Sequence, residues 1–349
     1  MRERLRQTAQ RLGQLVLPAL LMSVLMAADA IAQAHRSVPH TNAVSSLALS
    51  QDGQLLVSGG HDGVLKVWNL ETGVLLRSIA AHREAGPDSS GVVAVSASPT
   101  SKHVASAGDV TVRLWDPATG KLIRTLRHEN SWTNSVDLSS NSLLVSASDD
   151  RTIRIWNADT GKVLRTLKGH LDHVHSARFS ADGRVIVSAG FEGRVKLWNA
   201  ADGDVRRTLT GHEGRVFAVA ISPDGNVIAS AGDDRKIRLW NSNTGASIQS
   251  LEGHTGRIHA LAFSADGTQL LSGGGYQDYS VRLWDVTSGR QAHVLTGHAG
   301  TVNAVIFSPD GRQAYSAGSD HKIFRWELTG NAPPVEFGIG SAAGRAKVR

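Results

Sequence analysis

Four residue types recur together along this chain of 349 residues, in an order that suggests nucleophilic catalysis. A histidine is followed by a serine, an aspartate and a tryptophan, as in His212, Ser230, Asp234 and Trp240. Serine, histidine and aspartate form hydrolytic triads, in which the imidazole activates the hydroxyl and the carboxylate orients the imidazole. The set is therefore either a reaction centre or a structural network.

The recurrence of the set argues against catalysis. A second complete copy consists of His298, Ser316, Asp320 and Trp326. A nucleophile and its base are needed once, in a pocket that excludes water and holds an oxyanion, whereas a set present in every repeat is typical of architecture. We therefore interpret these residues as buried structural partners, and we predict no enzymatic activity, no catalytic residue, no metal site and no cofactor.

The repeat itself is defined by tryptophan and histidine. Seven of the eight tryptophans lie 41 to 47 residues apart, at positions 68, 115, 156, 198, 240, 284 and 326. Histidines at 40, 82, 128, 170, 212, 254 and 298 precede them, by 28 residues in five of the repeats. A fixed period of this length indicates a repeat architecture that covers most of the chain.

Each repeat has the pattern of a small antiparallel sheet. Apolar residues alternate or run together in short segments such as 216–221 and 227–229, which suits strands buried on one or both faces. An Asp-Gly pair such as Asp224-Gly225 follows the first strand, and a Thr-Gly pair such as Thr160-Gly161 follows the third. Because these pairs favour tight turns, each repeat is predicted to form four strands of an all-β fold.

The period, the opening Gly-His pairs such as Gly211-His212 and the closing Trp-Asp pairs such as Trp284-Asp285 resemble WD40 repeats. The resemblance covers residues 40 to about 338 and implies one seven-bladed β-propeller with four antiparallel strands per blade. It also implies that the recurring set is the structural tetrad of each blade. Repeats two and three lack the Asp-Gly turn but are counted as blades.

Two details of the ring stay open or irregular in the sequence. Either residues 36–38 or residues 335–337 could supply the outer strand that closes the ring. Repeat four has Glu192 in place of the tetrad aspartate, and the spacing before Asp109 and Asp278 is altered in repeats two and six. We expect looser tetrads in these three blades.

Residues 1–34 resemble a secretory signal, with a basic start, an apolar stretch over residues 15–28 and Ala32-Gln33-Ala34 before His35. We expect cleavage after Ala34, because about 14 apolar residues interrupted by Pro18 are too few to span a bilayer. An uncleaved anchor is the alternative. The expected mature chain consists of a propeller over residues 35–338 and a flexible tail over residues 339–349, without a stable membrane anchor.

Composition agrees with an exported protein that does not bind nucleic acid. The chain has no cysteine, which excludes disulfides, thiolate metal sites and a cysteine nucleophile. Loss of residues 1–34 would lower the formal net charge from +6 to +4, and the remaining Lys and Arg are scattered rather than clustered. We predict a bacterial periplasmic or secreted protein.

One rim of a WD40-like ring is the usual docking surface. Three side chains of each repeat are expected to lie on it: those three and five residues after the repeat histidine, and the one directly before the turn aspartate. In blades four to six these positions, with Tyr276 of a longer hairpin, are His173, His175, Phe191, Arg215, Phe217, Asp233, Arg257, His259 and Gln277. Arginine and aromatic residues resemble interface hot spots. We predict a noncatalytic scaffold whose protein or peptide partner carries acidic side chains.

Three alternatives accompany this prediction. Phe217 could simply pack between blades while the arginines are solvated. A periplasmic propeller enzyme of the lactonase or quinoprotein type would place a metal or cofactor in the channel. Metal or small-ligand binding at the channel mouth would use His173, His175 and His259, but three imidazoles without an orienting second shell are a weak signal.

Overall fold

The computed structural model describes residues 39–50, 52–82, 91–98, 103–128, 131–330 and 332–338. In these residues the chain forms seven four-stranded antiparallel sheets and no helix. The predicted all-β, seven-bladed propeller is confirmed, and repeats two and three are blades like the others. The expected signal over residues 1–34 and the expected tail over residues 339–349 lie outside the described residues.

Each blade contains four consecutive strands, which run outwards from the central channel. The innermost strands are β1 (Val44–Leu49), β5 (Ala94–Ala97), β9 (Thr133–Leu138), β13 (Val174–Phe179), β17 (Val216–Ile221), β21 (Ile258–Phe263) and β25 (Val302–Phe307). The second strands are β2 (Leu55–Gly60), β6 (Val104–Gly108), β10 (Leu143–Ser148), β14 (Val185–Gly190), β18 (Val227–Gly232), β22 (Gln269–Gly274) and β26 (Gln313–Gly318).

The third and fourth strands complete each sheet on its outer side. The third strands are β3 (Val64–Asn69), β7 (Thr111–Trp115), β11 (Thr152–Asn157), β15 (Val195–Asn199), β19 (Ile237–Asn241), β23 (Val281–Asp285) and β27 (Ile323–Glu327). The outer strands are β4 (Leu75–Ala80), β8 (Leu122–Arg127), β12 (Val163–Lys168), β16 (Val205–Leu209), β20 (Ser247–Leu251), β24 (Gln291–Leu295) and β28 (Val335–Glu336).

The turns between the first and second strands require a left-handed residue. Gly225 takes this position in blade five with φ 76°. The Asp224 carboxylate in the same turn accepts a hydrogen bond from the Ser222 hydroxyl at 2.5 Å. In blade three, where the Asp-Gly pair is missing, Ser142 adopts φ 59° at the corresponding place. The sheet therefore forms without glycine, at the cost of a conformation that L-residues seldom adopt.

The hydrophobic core is divided into seven clusters, each between two neighbouring blades. One cluster joins the first and last blades, where Trp68 packs with Tyr315 and Phe337. The innermost strands contact one another around the axis, and β25 contacts β1. The ring is therefore closed by packing as well as by the outer strand.

The outer strand of blade seven comes from the C-terminal segment. Glu336 pairs with Phe324, and the Phe337 amide donates to the Ile323 carbonyl at 2.7 Å. The pairing is short because residues 333 and 334 are prolines, which have no amide hydrogen to donate. Of the two candidates for the closing strand, the structure selects the segment at 335–337, while residues 36–38 lie outside the described residues.

A recurring arginine links neighbouring blades, a feature that the sequence interpretation missed. On four successive outer strands the guanidinium donates to a carbonyl in the turn between the third and outer strands of the next blade. The pairs are Arg77 with Ala118 (2.9 Å), Arg124 with Asp159 (2.8 Å), Arg165 with Ala201 (2.6 Å) and Arg207 with Asn243 (3.1 Å). These arginines hold the ring together, so they are not free to bind a partner through those atoms.

Candidate functional site

The recurring histidine, serine, aspartate and tryptophan form a hydrogen-bonded chain. In blade five Trp240 Nε1 donates to Ser230 Oγ at 2.8 Å, and that hydroxyl donates to His212 Nε2 at 2.7 Å. His212 Nδ1 then donates to the Asp234 carboxylate at 2.8 Å. The serine is fully buried and both of its polar functions are engaged, so its oxygen has no path to a substrate.

The other tetrad singled out from the sequence has the same geometry in blade seven. Trp326 Nε1 donates to Ser316 Oγ at 2.7 Å, the Ser316 hydroxyl donates to His298 Nε2 at 2.7 Å, and His298 Nδ1 lies 2.9 Å from Asp320 Oδ2. The structure therefore brings together the four members in both blades. Their repetition and burial make them part of the fold rather than a site.

The expectation of looser tetrads in blades four and six is wrong. His170 Nδ1 lies 2.6 Å from Glu192, and His254 Nδ1 lies 2.7 Å from Asp278, because the longer side chain or the longer turn still reaches the imidazole. In blade two, His82 Nδ1 faces the Thr111 hydroxyl at 3.4 Å. In blade three, which the sequence did not single out, His128 Nδ1 lies 4.0 Å from Asp150.

The residues predicted for the rim of blades four to six do come together. Five rings form a continuous row across these blades, which we call the aromatic strip: His173, Phe191, His175, Phe217 and His259. Ring centroids lie 5.7 Å apart for His173 and Phe191, 5.5 Å for Phe191 and His175, 5.4 Å for His175 and Phe217, and 4.7 Å for Phe217 and His259.

The strip has a buried part and an accessible part. Phe217 is 7% exposed, so it packs among the blades, as one of the alternatives from the sequence predicted. It supports the neighbouring rings and is not itself available for contact with a partner. His175 Nδ1 donates to the Phe217 carbonyl at 2.9 Å. His173 has an accessible ring, and its Nδ1 lies 3.1 Å from Asp149 of blade three. The inner rings therefore fix the position of the outer ones.

The imidazoles inside the strip carry little charge at neutral pH. Burial lowers the pKa of His259 to about 4, and the nearby His175 and Arg257 act in the same direction. Burial also lowers the pKa of His175, against a hydrogen bond to Phe217 that favours the protonated ring. The positive charge of this rim therefore comes from its arginines.

Two exposed arginines border the strip. The Arg215 guanidinium lies over the Phe191 ring, 4.9 Å from its centroid, a cation–π arrangement that limits the motion of the side chain. Arg257 Nε lies 2.8 Å from Asp233, and the Arg257 side chain is 59% exposed. Both cations are thus positioned in advance while part of each guanidinium still faces solvent.

A cavity of about 390 Å³ lies beside Arg257, between blades five and six. Its lining includes Asp233, Arg235, Tyr276 and Gln277, of which Tyr276 is 68% exposed. Gln277 has φ 75°, which turns the blade-six hairpin so that Tyr276 projects beside the arginines. Four of the sequence-predicted residues therefore surround one depression, namely Asp233, Arg257, Tyr276 and Gln277, whereas Phe217 and His259 line the channel.

Two large apolar side chains enlarge this rim. Trp132 of blade three, the tryptophan outside the repeat pattern, is 43% exposed, and Leu171 at the entry to blade four is 62% exposed. Leu171 was missed in the sequence, although its position directly after a tetrad histidine could have indicated it. Apolar area next to arginines is the composition of many protein interfaces.

Two further features are absent from the described part of the chain. No group of three or more His, Asp or Glu side chains there is arranged to hold a metal ion, including His173, His175 and His259. No helix of the same residues is long and apolar enough to cross a membrane.

Comparison with protein families agrees with the fold. The model for the WD domain, G-beta repeat (WD40) matches seven times, at residues 33–69, 73–116, 120–157, 161–199, 203–241, 245–285 and 289–327. The chain belongs to the WD40 family. The last six matches each begin just before the outer strand of one blade and end with or just after the third strand of the next, so each of these repeats of the WD40 propeller spans two blades.

Curated relatives of this WD40 propeller match over short segments. COMPASS component SWD3 of Saccharomyces cerevisiae is 32% identical over 100 residues, which is 28% of this chain and 30% of SWD3. Striatin-3 of Rattus norvegicus and striatin of Homo sapiens are each 38% identical over 74 residues, which is 21% of this chain and 9% of each relative. The matched segments thus span less than a third of each relative.

Proposed function

We propose that this chain is an exported, noncatalytic scaffold that binds a protein or peptide partner through the rim of blades four to six. The observation that carries the proposal is the aromatic strip with Arg215 and Arg257 at its border. Aromatic and arginine side chains held in place by their neighbours lose little freedom on binding, which is the property of interface hot spots.

The charge of the rim supports a partner with acidic side chains. Arg215 stacks on an uncharged ring, and Arg257 shares its charge with the single carboxylate of Asp233. The imidazoles of His175 and His259 are held neutral by burial, so they neither add to nor oppose this charge. A carboxylate that approaches the two arginines would gain charge-assisted hydrogen bonds.

A role without catalysis is supported by the tetrads and by one relative. The only serine–histidine–carboxylate sets that we identified in the described residues are the repeated ones, and their hydroxyls are buried. By its name, SWD3 is a component of a larger assembly, COMPASS. Assembly through a propeller rim agrees with that comparison.

Export is proposed from the sequence of the first 34 residues. The basic start, the apolar stretch and the Ala-Gln-Ala site support removal of this segment and release of a propeller over residues 35–338 with a tail over residues 339–349. N-terminal sequencing of the protein recovered from the periplasm of an expressing bacterium tests this part. A sequence that begins at Met1 would contradict it.

Binding is tested with the double variant Arg215→Glu, Arg257→Glu. The immobilised mature protein is used to capture partners from an envelope extract by crosslinking, and the captured protein is purified and titrated against each variant. The variant should weaken binding by about tenfold or more, because it replaces two attractive charges with repulsive ones. An equal melting temperature shows that the ring is intact.

A matched control places the same substitutions at the opposite end of the ring. Arg184 and Arg312 follow the turns between the first and second strands and are exposed. The variant Arg184→Glu, Arg312→Glu changes the net charge equally and should bind the partner like wild type. Loss of binding in the control alone, or unchanged binding by the rim variant, would move the site away from blades four to six.

A further inference from the structure

The channel contains two charged residues that the other blades do not repeat. One layer of the channel wall consists of one residue from each innermost strand. In every blade this residue pairs with the residue that precedes the tetrad serine on the second strand. Around the ring this layer consists of Ala48, Ser96, Asp137, Arg178, Ala220, Ala262 and Ile306. Repeated residues serve the architecture, so the unrepeated Asp137 and Arg178 need another explanation.

The small residues of this layer leave room in front of the two charges. A cavity of about 370 Å³ occupies the channel, and its lining includes Asp137, Arg178, Asn134, His175 and His259. The volume lies within the range of sites for small molecules, which is about 300 to 1,000 Å³. The cavity therefore has space for a small ligand next to both charges.

Arg178 is anchored on one side and unsatisfied on the other. Its Nη1 donates to Ser135 Oγ at 2.9 Å, to the Ala177 carbonyl at 3.1 Å and to the Val136 carbonyl at 3.3 Å. Nε and Nη2 have no hydrogen-bond acceptor among the described residues. These two atoms form the fork of the guanidinium that matches the two oxygens of a carboxylate.

Asp137 lies beside this fork; burial raises the pKa of its carboxyl group, and the Arg178 charge opposes that effect by favouring the ionised form. Its carboxylate accepts the Phe179 amide hydrogen at 2.9 Å and the Ser96 hydroxyl at 3.2 Å. No direct ion pair joins Asp137 to Arg178 among the described residues. The two side chains are therefore fixed close to each other by separate partners, and a ligand ammonium group at Asp137 would favour its ionised form, as Arg178 does.

We propose that the channel binds a small zwitterion of the α-amino acid type, with its carboxylate on the Nε and Nη2 fork of Arg178 and its ammonium group on Asp137. An anion alone would be repelled by Asp137, and a cation alone would be repelled by Arg178. A molecule whose ammonium and carboxylate groups are bonded to the same carbon complements the pair. The site adjoins the rim, because His175, Phe217 and His259 also line the channel cavity, but it uses neither Arg215 nor Arg257.

The proposal is tested by titrating the mature protein with four probes: glycine, L-alanine, acetate and methylammonium. Calorimetry gives the affinity, and the imidazole NMR signals of His175 and His259 report on occupation of the channel. Glycine and L-alanine should shift these signals and saturate. Acetate and methylammonium, which each carry half of the charge pattern, should bind about tenfold more weakly or worse.

Variants separate a binding role from a structural one. Arg178→Met should weaken glycine binding by about tenfold or more, Asp137→Asn should do the same, and the exposed Arg184→Met should leave it unchanged. If Arg178→Met does not fold, Arg178→Lys retains the charge without the fork and should also bind glycine less tightly. Unchanged glycine binding in these channel variants, or no imidazole shift with any probe, would overturn the proposal.

The same titration distinguishes this site from the rim. The variant Arg215→Glu, Arg257→Glu should bind glycine like wild type while it loses the protein partner. Arg178→Met should keep the partner while it loses glycine. If the rim substitutions alone abolished glycine binding, the ligand would sit at the mouth of the ring, and the channel assignment would be wrong.

Discussion

His128 Nδ1 lies 4.0 Å from the nearer oxygen of Asp150, whereas the corresponding atoms of His254 and Asp278 lie 2.7 Å apart. The His128 atom is buried and has no hydrogen-bond partner in the described part of the chain. Asp150 instead accepts the Thr152 hydroxyl at 2.6 Å and contacts Arg154 at 3.3 Å. The tetrads therefore contribute unequally to the ring.

A formed tetrad should be costly to interrupt. Asp234→Ala leaves His212 Nδ1 buried without an acceptor, so we expect the free energy of unfolding to fall by ~1 to 3 kcal/mol. Urea denaturation measures the change. The exposed Asp159→Ala is the control and should stay within about 0.5 kcal/mol of wild type. Equal effects of the two substitutions would contradict a stabilising network.

Blade three should lack the coupling that blade five has. In double-mutant cycles with His→Gln and Asp→Ala, the pair His212 and Asp234 should show an interaction energy of about 1 kcal/mol or more. The pair His128 and Asp150 should show a value near zero, because no hydrogen bond joins them. A coupling of similar size in both blades would mean that the blade-three pair closes in solution.

Acid should weaken the ring through the tetrad carboxylates. Burial opposes ionisation of Asp62, but hydrogen bonds from His40 and from backbone amides outweigh it and lower its pKa to about 2. A carboxylate with a lowered pKa stabilises the fold above its ordinary value of 3.8 and loses that contribution as the pH falls towards about 2.

The Asp62→Asn variant tests this pH dependence. Because asparagine does not titrate, the free energy of unfolding of the variant should vary less steeply with pH in this acid range than that of wild type. The two slopes should differ by up to about 1.4 kcal/mol per pH unit, the value for one proton. Urea denaturation at a series of pH values provides the slopes. Parallel slopes for Asp62→Asn and wild type would show that Asp62 does not link protonation to unfolding.

The C-terminal segment should contribute substantially to stability. Phe337 packs edge-on against Tyr315 and Trp68, with centroid distances of 5.4 and 6.1 Å, and so bridges the last and first blades. Phe337→Ala should lower the free energy of unfolding by about 3 kcal/mol. The half-exposed Val335→Ala, two residues away, should cost less than about 1 kcal/mol. Similar losses from both would indicate that ring closure does not depend on this aromatic contact.

The sequence by itself determined the number of blades, the order of strands and the members of the tetrads. These features depend on local signals: apolar residues with a period of two, Asp-Gly and Thr-Gly turns, and a histidine and a tryptophan at nearly constant spacing. Such signals lie within one repeat and recur seven times, so an irregular copy does not obscure them. Ser142 shows this, since it takes the left-handed place of the missing glycine and the blade still forms.

Only the tertiary structure decided which contacts the repeats make with one another. It assigned the outer strand of blade seven to Val335–Glu336, buried Phe217 beneath the rim, kept the tetrads of Glu192 and Asp278 tight and left His128 without its carboxylate. It also placed Asp137 and Arg178 side by side in the channel. These outcomes depend on register and packing between blades, where differences of an ångström decide whether side chains meet, and spacing along the chain does not encode them.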